Sequence, residues 1–331
     1  MHMPTIFGTN GRTRAPATAG GGAPAGKPGG ASTDVLFLHG WGLGPSAYAA
    51  LLSRLRRAGV HVLAPCLPGF ERTAPLPAEN CSFAGFAHWV ADRLDSLGIV
   101  GPLKVVGHSF GGGVAVQFAV EHPHRVSDLM LCNPVGGPCR VGPDGALGVQ
   151  RSPWEWCRAL VGDVNPPTEL PRLIGALLNG AVHNLGADPR AVWRVANLAR
   201  RASLLDQVRA LSHQELPLEI VWSDHDKIVP RRSFEAMCDA AEVDGMVVAG
   251  SHCWPLTHPD LLAELVLQLG STRKSARRKP PLASTARRRR GPSSDRCGQV
   301  GTGMDSTDPG FDCARRLAVL PDHQHRSGAV A

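Results

Sequence analysis

In the pentapeptide Gly107–Gly111, a serine two residues from a glycine on either side separates a short apolar segment from a segment with a helical pattern. The residues before it, Leu103–Val106, are mostly apolar and predict a short buried strand. The residues after it, from Phe110 to about Glu121, carry few polar side chains and predict a mostly buried helix that Pro123 ends. The pattern therefore predicts a tight strand-to-helix turn with Ser109 at its tip, and the glycines leave room where strand and helix cross.

Short apolar runs alternate with amphipathic helical patterns along most of the chain. Val35–Leu38 is one such run, unbroken by polar residues, as a strand buried on both faces requires. Alternation of this kind is typical of an α/β fold, in which a mostly parallel sheet is flanked by helices. The predicted strands are Val35–Leu38, Val60–Ala64, Leu103–Val106, Val126–Leu131, Leu218–Trp222 and Met246–Ala249, and the predicted helices begin near Ser46, Ser82, Phe110, Ser233 and Pro259.

The same patterns divide the chain into segments. Residues 1–32 are rich in Gly, Ala, Pro and Thr, and residues 271–331 are basic and poor in large apolar side chains, so we expect a flexible leader and a disordered tail. Residues 33–133 and 214–270 carry the alternating pattern and form the predicted core. Between them, residues 134–213 show helical patterns, one beginning at Asp188, and no convincing strand. This predicts an all-helical cap inserted into the core.

The positive charge of the chain is concentrated at its ends. The chain has a formal net charge of +7, but residues 271–331 alone hold 13 Lys or Arg and 5 Asp or Glu. Residues 33–270 hold 19 Lys or Arg and 23 Asp or Glu, so the predicted core is mildly acidic and we expect no nucleic-acid partner. The arginine run 287–290 leaves contact with an anionic membrane surface open as an alternative to a solvated tail.

Cysteine usage and hydropathy bear on the compartment. The 9 cysteines form no CxxC pair and lack the clustering of a disulfide framework. No run approaches the length of a membrane-spanning helix, and the first residues lack the apolar core of a secretory signal. These observations predict a cytoplasmic protein without an integral membrane segment, and they leave its oligomeric state open.

Candidate partners for Ser109 follow two later strands. A serine hydroxyl becomes a good nucleophile when a base accepts its proton and a carboxylate holds that base in one tautomer. Loops at the carboxyl ends of parallel strands are where such groups meet. Asp224 and Asp226 follow one strand, and spacing to the apolar residues beyond favours Asp226 as the acid. His252 follows the next strand, with His258 as the alternative base.

Four segments, LFLHGWG, VVGHSFGGG, WSDHDKIVP and AGSHCWPLTHP, occur in this order along the chain. With them, residues 34–270 resemble the α/β-hydrolase superfamily, and in particular serine hydrolases and esterases with a helical cap. The resemblance implies Ser109 as the nucleophile, Asp226 as the acid and His252 as the base. It also implies an oxyanion hole formed by the backbone N–H groups of Trp41 and Phe110.

One feature of that family has no counterpart here. Its members usually carry an antiparallel pair of strands before the strand that corresponds to Val35–Leu38, and residues 1–32 offer none. We therefore expect an exposed edge of the sheet.

The expected reaction is hydrolysis of a carboxylic ester with a lipophilic acyl group, through an acyl-enzyme on Ser109 and without a cofactor. Two kinds of alternative stay open. The same three residues would support hydrolysis of a carbon–carbon bond or cofactor-free perhydrolysis, and the same scaffold could bind a small-molecule ligand without catalysis. Trp154, Trp156 and Trp193 would either line an apolar substrate pocket or pack the cap against the core.

Several other polar residues are expected to be structural. His39 would brace the turn after the first strand, and Cys253 would pack beside His252. The pairs His122/His124 and His323/His325 have the spacing of metal ligands but no further ligands nearby in the sequence. No metal site is therefore predicted.

Overall fold

The computed structural model describes residues 33–71, 73–141, 147–148, 152–163, 188–270 and 318–319, all within the unit Ser32–Ala331. The leader predicted at 1–32, residues 164–187 of the predicted insertion and nearly all of the tail predicted at 271–331 lie outside the described residues. The strands are β1 (Val35–Leu38), β2 (Val62–Leu63), β3 (Leu103–His108), β4 (Val126–Cys132), β5 (Arg140–Val141), β6 (Leu147–Gly148), β7 (Leu218–Ser223), β8 (Met246–Val248) and β9 (Ala318–Val319).

Six of these strands form a parallel sheet in the order β2-β1-β3-β4-β7-β8, and β9 adds to it in parallel beside β8. The register places Leu38 and Leu131 on either side of Gly107, so the ends of β1 and β4 flank the predicted strand-to-helix turn. Farther along the sheet, Ser223 at the end of β7 is opposite Val248 at the end of β8. All the strand ends that carry the predicted functional residues therefore meet at one edge of the sheet.

Helices cover both faces of this sheet. They are α1 (Ala49–Arg57), α2 (Phe83–Ser96), α3 (Phe110–Glu121), α4 (Pro153–Asp163), α5 (Pro189–Arg200), α6 (Leu205–Ser212), α7 (Arg231–Ala241), α8 (Trp254–Thr257) and α9 (Pro259–Gln268). Side chains that alternate along β1 enter two separate cores. Leu36 and Leu38 pack with residues of α2 and α3, whereas Val35 and Phe37 pack with residues of α1 and α9. This explains why β1 is apolar at every position.

Local signals in the sequence account for several helix starts. The Ser82 hydroxyl accepts a hydrogen bond from the Gly85 N–H at 3.0 Å, which starts α2 as predicted. Asp188 accepts the N–H groups of Arg190 and Ala191, both at 3.0 Å, and starts α5 in the same way. The helix predicted to begin near Ser46 begins as a 3₁₀ turn, Pro45–Tyr48, which leads into α1. Ser46 was expected to cap this helix, but it lies inside the turn and its hydroxyl donates to Glu71 instead.

Other boundaries differ from the predictions by a few residues. The predicted strand Val60–Ala64 is reduced to β2, which has 2 residues, and α7 begins at Arg231 rather than near Ser233. The inserted region contains helices α4, α5 and α6, but it also contains an antiparallel pair formed by β5 and β6. The pattern between residues 134 and 213 did not predict this pair, since two-residue strands are too short to show alternation. In its described part the insertion is therefore mostly rather than entirely helical.

The two-residue strand β2 is the outermost strand on its side of the sheet within the described residues. Residues 1–32, on which the expectation of an open edge rests, lie outside the described residues, so that expectation stays a prediction. A strand as short as β2 presents few unpaired backbone groups for aggregation. Among the described residues, no helix is both long enough and apolar enough to cross a membrane.

Candidate active site

The turn between β3 and α3 holds Ser109 in an unusual backbone conformation. Its φ is 54° and its ψ is −115°, a combination that costs a non-glycine residue about 1–3 kcal/mol. The turn is held by the Ser109 N–H, which donates to the Cys132 carbonyl at 2.9 Å, and by the Ser109 carbonyl, which accepts the Gly112 N–H at 3.0 Å. The strain aims the serine side chain out of the sheet at the start of a helix, as a nucleophile elbow requires.

Glycine is required beside Ser109 because the strand and helix backbones approach closely. A Cβ atom at Gly107 would lie 2.5 Å from the Gly111 carbonyl oxygen, and one at Gly111 would lie 2.2 Å from the Leu38 carbonyl oxygen. Both distances are far below van der Waals contact. The same contact shows that the end of β1 lies directly against the elbow.

A chain of hydrogen bonds joins Ser109, His252 and Asp226. The Ser109 Oγ is 2.8 Å from His252 Nε2, and His252 Nδ1 is 2.7 Å from Asp226 Oδ2. All three residues are buried. The structure thus brings together the three residues that the sequence predicted as nucleophile, base and acid, although they are distant from one another along the chain.

The alternatives to these residues lie elsewhere. Asp224 is exposed, pairs with His225 at 2.7 Å and accepts the Gly250 N–H at 3.0 Å. The ring of His258 lies 2.8 Å from the Thr257 hydroxyl, at the start of α9. Neither is in hydrogen-bond contact with the Ser109–His252 pair among the contacts of the described residues.

The second carboxylate oxygen of Asp226 is held by its own loop. Asp226 Oδ1 accepts the backbone N–H groups of Ile228 and Val229, both at 2.7 Å. Oδ2 is thereby directed to His252. This explains the spacing between the aspartate and the apolar residues that follow it, since those residues supply the two N–H donors.

The predicted oxyanion donors, the backbone N–H groups of Trp41 and Phe110, follow the ends of β1 and β3. The loop that carries Trp41 lies against Ser109, because a Cβ atom at Gly40 would be 3.4 Å from the Ser109 Cβ. Phe110 is the first residue of α3, where helix N–H groups lack intrahelical partners and the dipole favours negative charge. The fold therefore places both residues beside Ser109.

Comparison with known proteins agrees with this fold. Residues 35–265 match the model of the Alpha/beta hydrolase family, which is more than half of the chain. The chain belongs to the α/β-hydrolase family. Its relatives in this superfamily are hydrolases, so the chain is a hydrolase.

Individual relatives of this α/β hydrolase differ in the reactions that their names describe. It is 28% identical over 249 residues to a protein of Mycobacterium phage D29 described as a non-heme haloperoxidase, covering 72% of this chain and 87% of that one. It is 36% identical over 162 residues to the pimeloyl-[acyl-carrier protein] methyl ester esterase of Aromatoleum aromaticum, covering 49% of this chain and 53% of that one.

A third relative has yet another reaction in its name. The hydrolase is 29% identical over 259 residues to the 2-hydroxymuconate semialdehyde hydrolase of a Pseudomonas strain, covering 72% of this chain and 86% of that one. Among solved structures, the enol-lactonase of Burkholderia xenovorans is similar in fold, with a TM-score of 0.58 at 16% identity over 73% of this chain and 93% of that one. The family is thus clear, whereas these relatives do not agree on one reaction.

A buried network behind His252 connects three loops of the hydrolase. The Gly40 N–H donates to the Tyr48 hydroxyl at 3.2 Å, which lies 2.6 Å from His108 Nδ1, and His108 Nε2 lies 3.0 Å from the His252 carbonyl oxygen. Since a carbonyl can only accept, His108 carries its proton on Nε2 and accepts the Tyr48 O–H on Nδ1. Burial lowers the pKa of His108 to about 3, so the ring is neutral, as this pattern requires.

His39 has the structural role that the sequence predicted. Its Nε2 accepts the Leu67 N–H at 2.9 Å, and its Nδ1 donates to the Gly40 carbonyl at 2.9 Å. Burial lowers its pKa to about 4, which keeps the ring neutral. His39 therefore fixes the loop that precedes Trp41.

Asp163, at the end of α4, is a buried residue of this site that the sequence analysis missed. Its Oδ1 accepts the backbone N–H of His252 at 2.9 Å and that of Lys227 at 3.2 Å. Burial raises its pKa above the usual value, and the nearby Asp226 carboxylate raises it further, although His252 acts in the opposite direction. No local signal marks Asp163 in the sequence, because its partners are backbone groups that lie far along the chain.

The insertion packs on the loop of Trp41 through tryptophan. The Trp41 ring meets the Trp156 ring edge to face with centroids 4.7 Å apart, and its Nε1–H donates to the Val192 carbonyl at 3.1 Å. Trp156 is therefore a packing residue, and it also lines a small apolar cavity. Trp154 and Trp193 are 74% and 45% exposed, so neither is enclosed in a pocket in this structure.

Proposed function

We propose that this α/β hydrolase cleaves a carboxylic ester through an acyl-enzyme on Ser109. One observation carries the proposal, namely the unbroken chain of hydrogen bonds from Ser109 Oγ through His252 to Asp226, at 2.8 and 2.7 Å. In this reaction His252 accepts the proton of Ser109 as Oγ attacks the ester carbonyl. Asp226 holds the imidazole in the required tautomer and stabilises the imidazolium that forms.

The remaining steps use the same groups. The N–H groups of Trp41 and Phe110 would stabilise the oxyanion of the tetrahedral intermediate, a contribution worth about 3 kcal/mol per donor in other hydrolases. His252 then gives its proton to the departing alcohol. A water molecule, deprotonated by His252, attacks the acyl-enzyme, and collapse of the second intermediate releases the acid and restores Ser109.

The apolar cavity beside the site supports a lipophilic acyl group. It is lined mainly by apolar side chains, among them Val135, Trp156, Ile228 and Val229. Two of these residues are tied to the reacting groups. The Val135 N–H donates to the Ser109 carbonyl at 3.2 Å, and the Val229 N–H donates to Asp226 at 2.7 Å. The cavity therefore borders the loops that carry Ser109 and Asp226, and it would have to widen to admit an acyl chain, because it now has room for about one water molecule.

The test combines covalent labelling with a substrate panel. A fluorophosphonate probe is expected to modify one serine per molecule, and Ser109→Ala is expected to abolish both labelling and hydrolysis of p-nitrophenyl esters. Ser96→Ala, which changes an exposed serine at the end of α2, provides the matched control and keeps both. Medium-chain esters are expected to react faster than acetate. Unchanged ester hydrolysis by Ser109→Ala would refute the proposal.

Carbon–carbon bond hydrolysis is the second candidate. The observation that favours it is the similarity to the 2-hydroxymuconate semialdehyde hydrolase, which extends over 72% of this chain. Turnover of a dienol ring-cleavage product with no turnover of any p-nitrophenyl ester would favour this reaction over ester hydrolysis.

Perhydrolysis, suggested by the haloperoxidase relative, requires hydrogen peroxide to replace water at the acyl-enzyme. Formation of a peracid from a short carboxylic acid and hydrogen peroxide would detect it.

A further inference from the structure

Three side chains with metal-binding atoms meet at the far end of α3 from Ser109. His88 projects from α2, while Glu121 is the last residue of α3 and His122 follows it. One nitrogen from each histidine and one carboxylate oxygen all lie within 4.8 Å of one another. His88 Nε2 is 3.6 Å from Glu121 Oε2, close to the spacing of about 3.3 Å between two ligands of a tetrahedral zinc ion with bonds of about 2.0 Å.

Two of these side chains carry buried polar atoms without hydrogen bonds. Glu121 Oε2 and His122 Nε2 are shielded from solvent and have no hydrogen-bond partner within the described part of the chain. Leaving such an atom unsatisfied is unfavourable, so native proteins usually provide a partner, water or an ion. The other oxygen of Glu121 is already fixed, since Gln117 Nε2 donates to Oε1 at 2.8 Å. This leaves Oε2 directed toward His88.

The electrostatic setting favours a cation. The cluster lies at the carboxyl end of α3, where the helix dipole places partial negative charge. Arg125 also acts on His122, but its positive charge is paired with Asp95 at 2.8 Å and its guanidinium also donates to the Ile99 carbonyl.

We propose that His88, Glu121 and His122 bind a divalent transition metal ion, with zinc as the best match to two imidazoles and one carboxylate. The site is distinct from the candidate active site, because α3 separates it from Ser109 by about 18 Å at 1.5 Å per residue. His124, whose ring centroid is 6.5 Å from that of His122, is placed to supply a fourth ligand by rotating its side chain, and water is the alternative.

Zinc at this position would join α2 to α3 across their packed surfaces. Binding to the folded state alone raises stability, so the proposed role is to stabilise the helix pair that backs the strand-to-helix turn. The sequence contains the His122/His124 pair, but the two further donors come from the neighbouring residue and from another helix. For that reason spacing alone did not indicate a site.

The experiment uses the full-length protein without an affinity tag, stripped of metal with EDTA and kept reduced. Zinc binding is measured by isothermal titration calorimetry, with bound metal counted by mass spectrometry, in the wild type and in three variants. Glu121→Gln keeps the size of the side chain, His88→Ala removes an exposed ligand, and His61→Ala changes an exposed histidine elsewhere. Zinc held by cysteines or by other histidines would remain in every variant, so a loss confined to Glu121→Gln and His88→Ala identifies the proposed site.

The proposal predicts that Glu121→Gln and His88→Ala each lose one zinc equivalent or bind it at least about tenfold more weakly, while His61→Ala matches the wild type. Zinc is also expected to raise the Tm of the wild type and of His61→Ala more than that of the other two. The proposal is overturned if the stripped wild type binds no zinc, or if all four proteins bind zinc with equal stoichiometry and affinity.

Discussion

The carboxylate of Asp163 accepts the backbone N–H of His252, with 2.9 Å between the Asp163 Oδ1 and His252 nitrogen atoms. The same oxygen accepts the N–H of Lys227, the residue after Asp226. One buried side chain from the insertion thus holds the loop of the predicted base and the loop of the predicted acid together. The insertion is therefore attached to the candidate site by hydrogen bonds as well as by the packing of Trp156 on Trp41.

Asp163→Ala is expected to lower kcat for ester hydrolysis by about 100-fold, because freeing two loops can misplace the base by an ångström. Asp163→Asn keeps an oxygen acceptor for both N–H groups and is expected to lose much less. Steady-state kinetics would measure this, and KM should change less than kcat since Asp163 does not line the apolar cavity. Equal kcat values for Asp163→Ala and the wild type, with both proteins folded by circular dichroism, would contradict the role assigned to this carboxylate.

Asp226→Asn is expected to lower kcat by about 10⁴-fold, because an amide no longer holds His252 in the required tautomer. The substituted side chain retains an oxygen that can accept the N–H groups of Ile228 and Val229. Asp224→Asn is the matched control, two residues away in the same loop but exposed, and should stay within about tenfold of the wild type. The reverse order of effects would assign the acid to Asp224, the alternative that the sequence left open.

The pH dependence of stability should reflect His108. Its pKa in the folded protein, about 3, lies below the usual histidine value of 6.5, so the unfolded chain takes up a proton below pH 6.5 while the folded protein does not. The free energy of unfolding therefore falls as pH decreases from 6.5 toward 3, by at most about 1.4 kcal/mol per pH unit from this group.

Substituting His108→Gln, which keeps a donor and an acceptor, should flatten that slope between pH 6.5 and 4. Urea denaturation across this range would measure it, with His61→Gln, an exposed histidine, as a control of unchanged slope. His39, lowered to a pKa of about 4 by burial, contributes in the same direction and remains in both proteins. A His108→Gln protein with the slope of the wild type would show that His108 is not buried as a neutral ring.

Gly111→Ala is expected to lower the free energy of unfolding by about 3 kcal/mol or more, or to prevent soluble expression. The added methyl group would lie 2.2 Å from the Leu38 carbonyl oxygen, and this backbone contact can be relieved only by separating β1 from α3. Gly101→Ala provides the comparison, since nothing lies within 4 Å of its added Cβ. Urea midpoints would measure both, and equal midpoints would mean that the elbow is less closely packed than described.

Much of this protein follows from local sequence patterns. The unbroken apolar run Val35–Leu38 required a strand covered on both faces, and the glycines around Ser109 required a tight turn between a strand and a buried helix. Asp226 and His252 were recognisable because each follows an apolar strand, and parallel strands end at one edge of the sheet. Such signals lie within a few residues of one another, where backbone sterics and burial act directly.

Tertiary structure decided which distant groups meet. It brought Asp226 rather than Asp224 into hydrogen-bond contact with His252, whereas His258 lies at the start of α9. It also brought Asp163 to the backbone of His252, and His88 to Glu121 and His122. The contacts of Asp163 and of His88 leave no periodic or spaced pattern, because each depends on the order of strands in the sheet and on how helices pack upon it. The sequence by itself determined the elements and the residues at their ends, whereas the packing of those elements determined their partners.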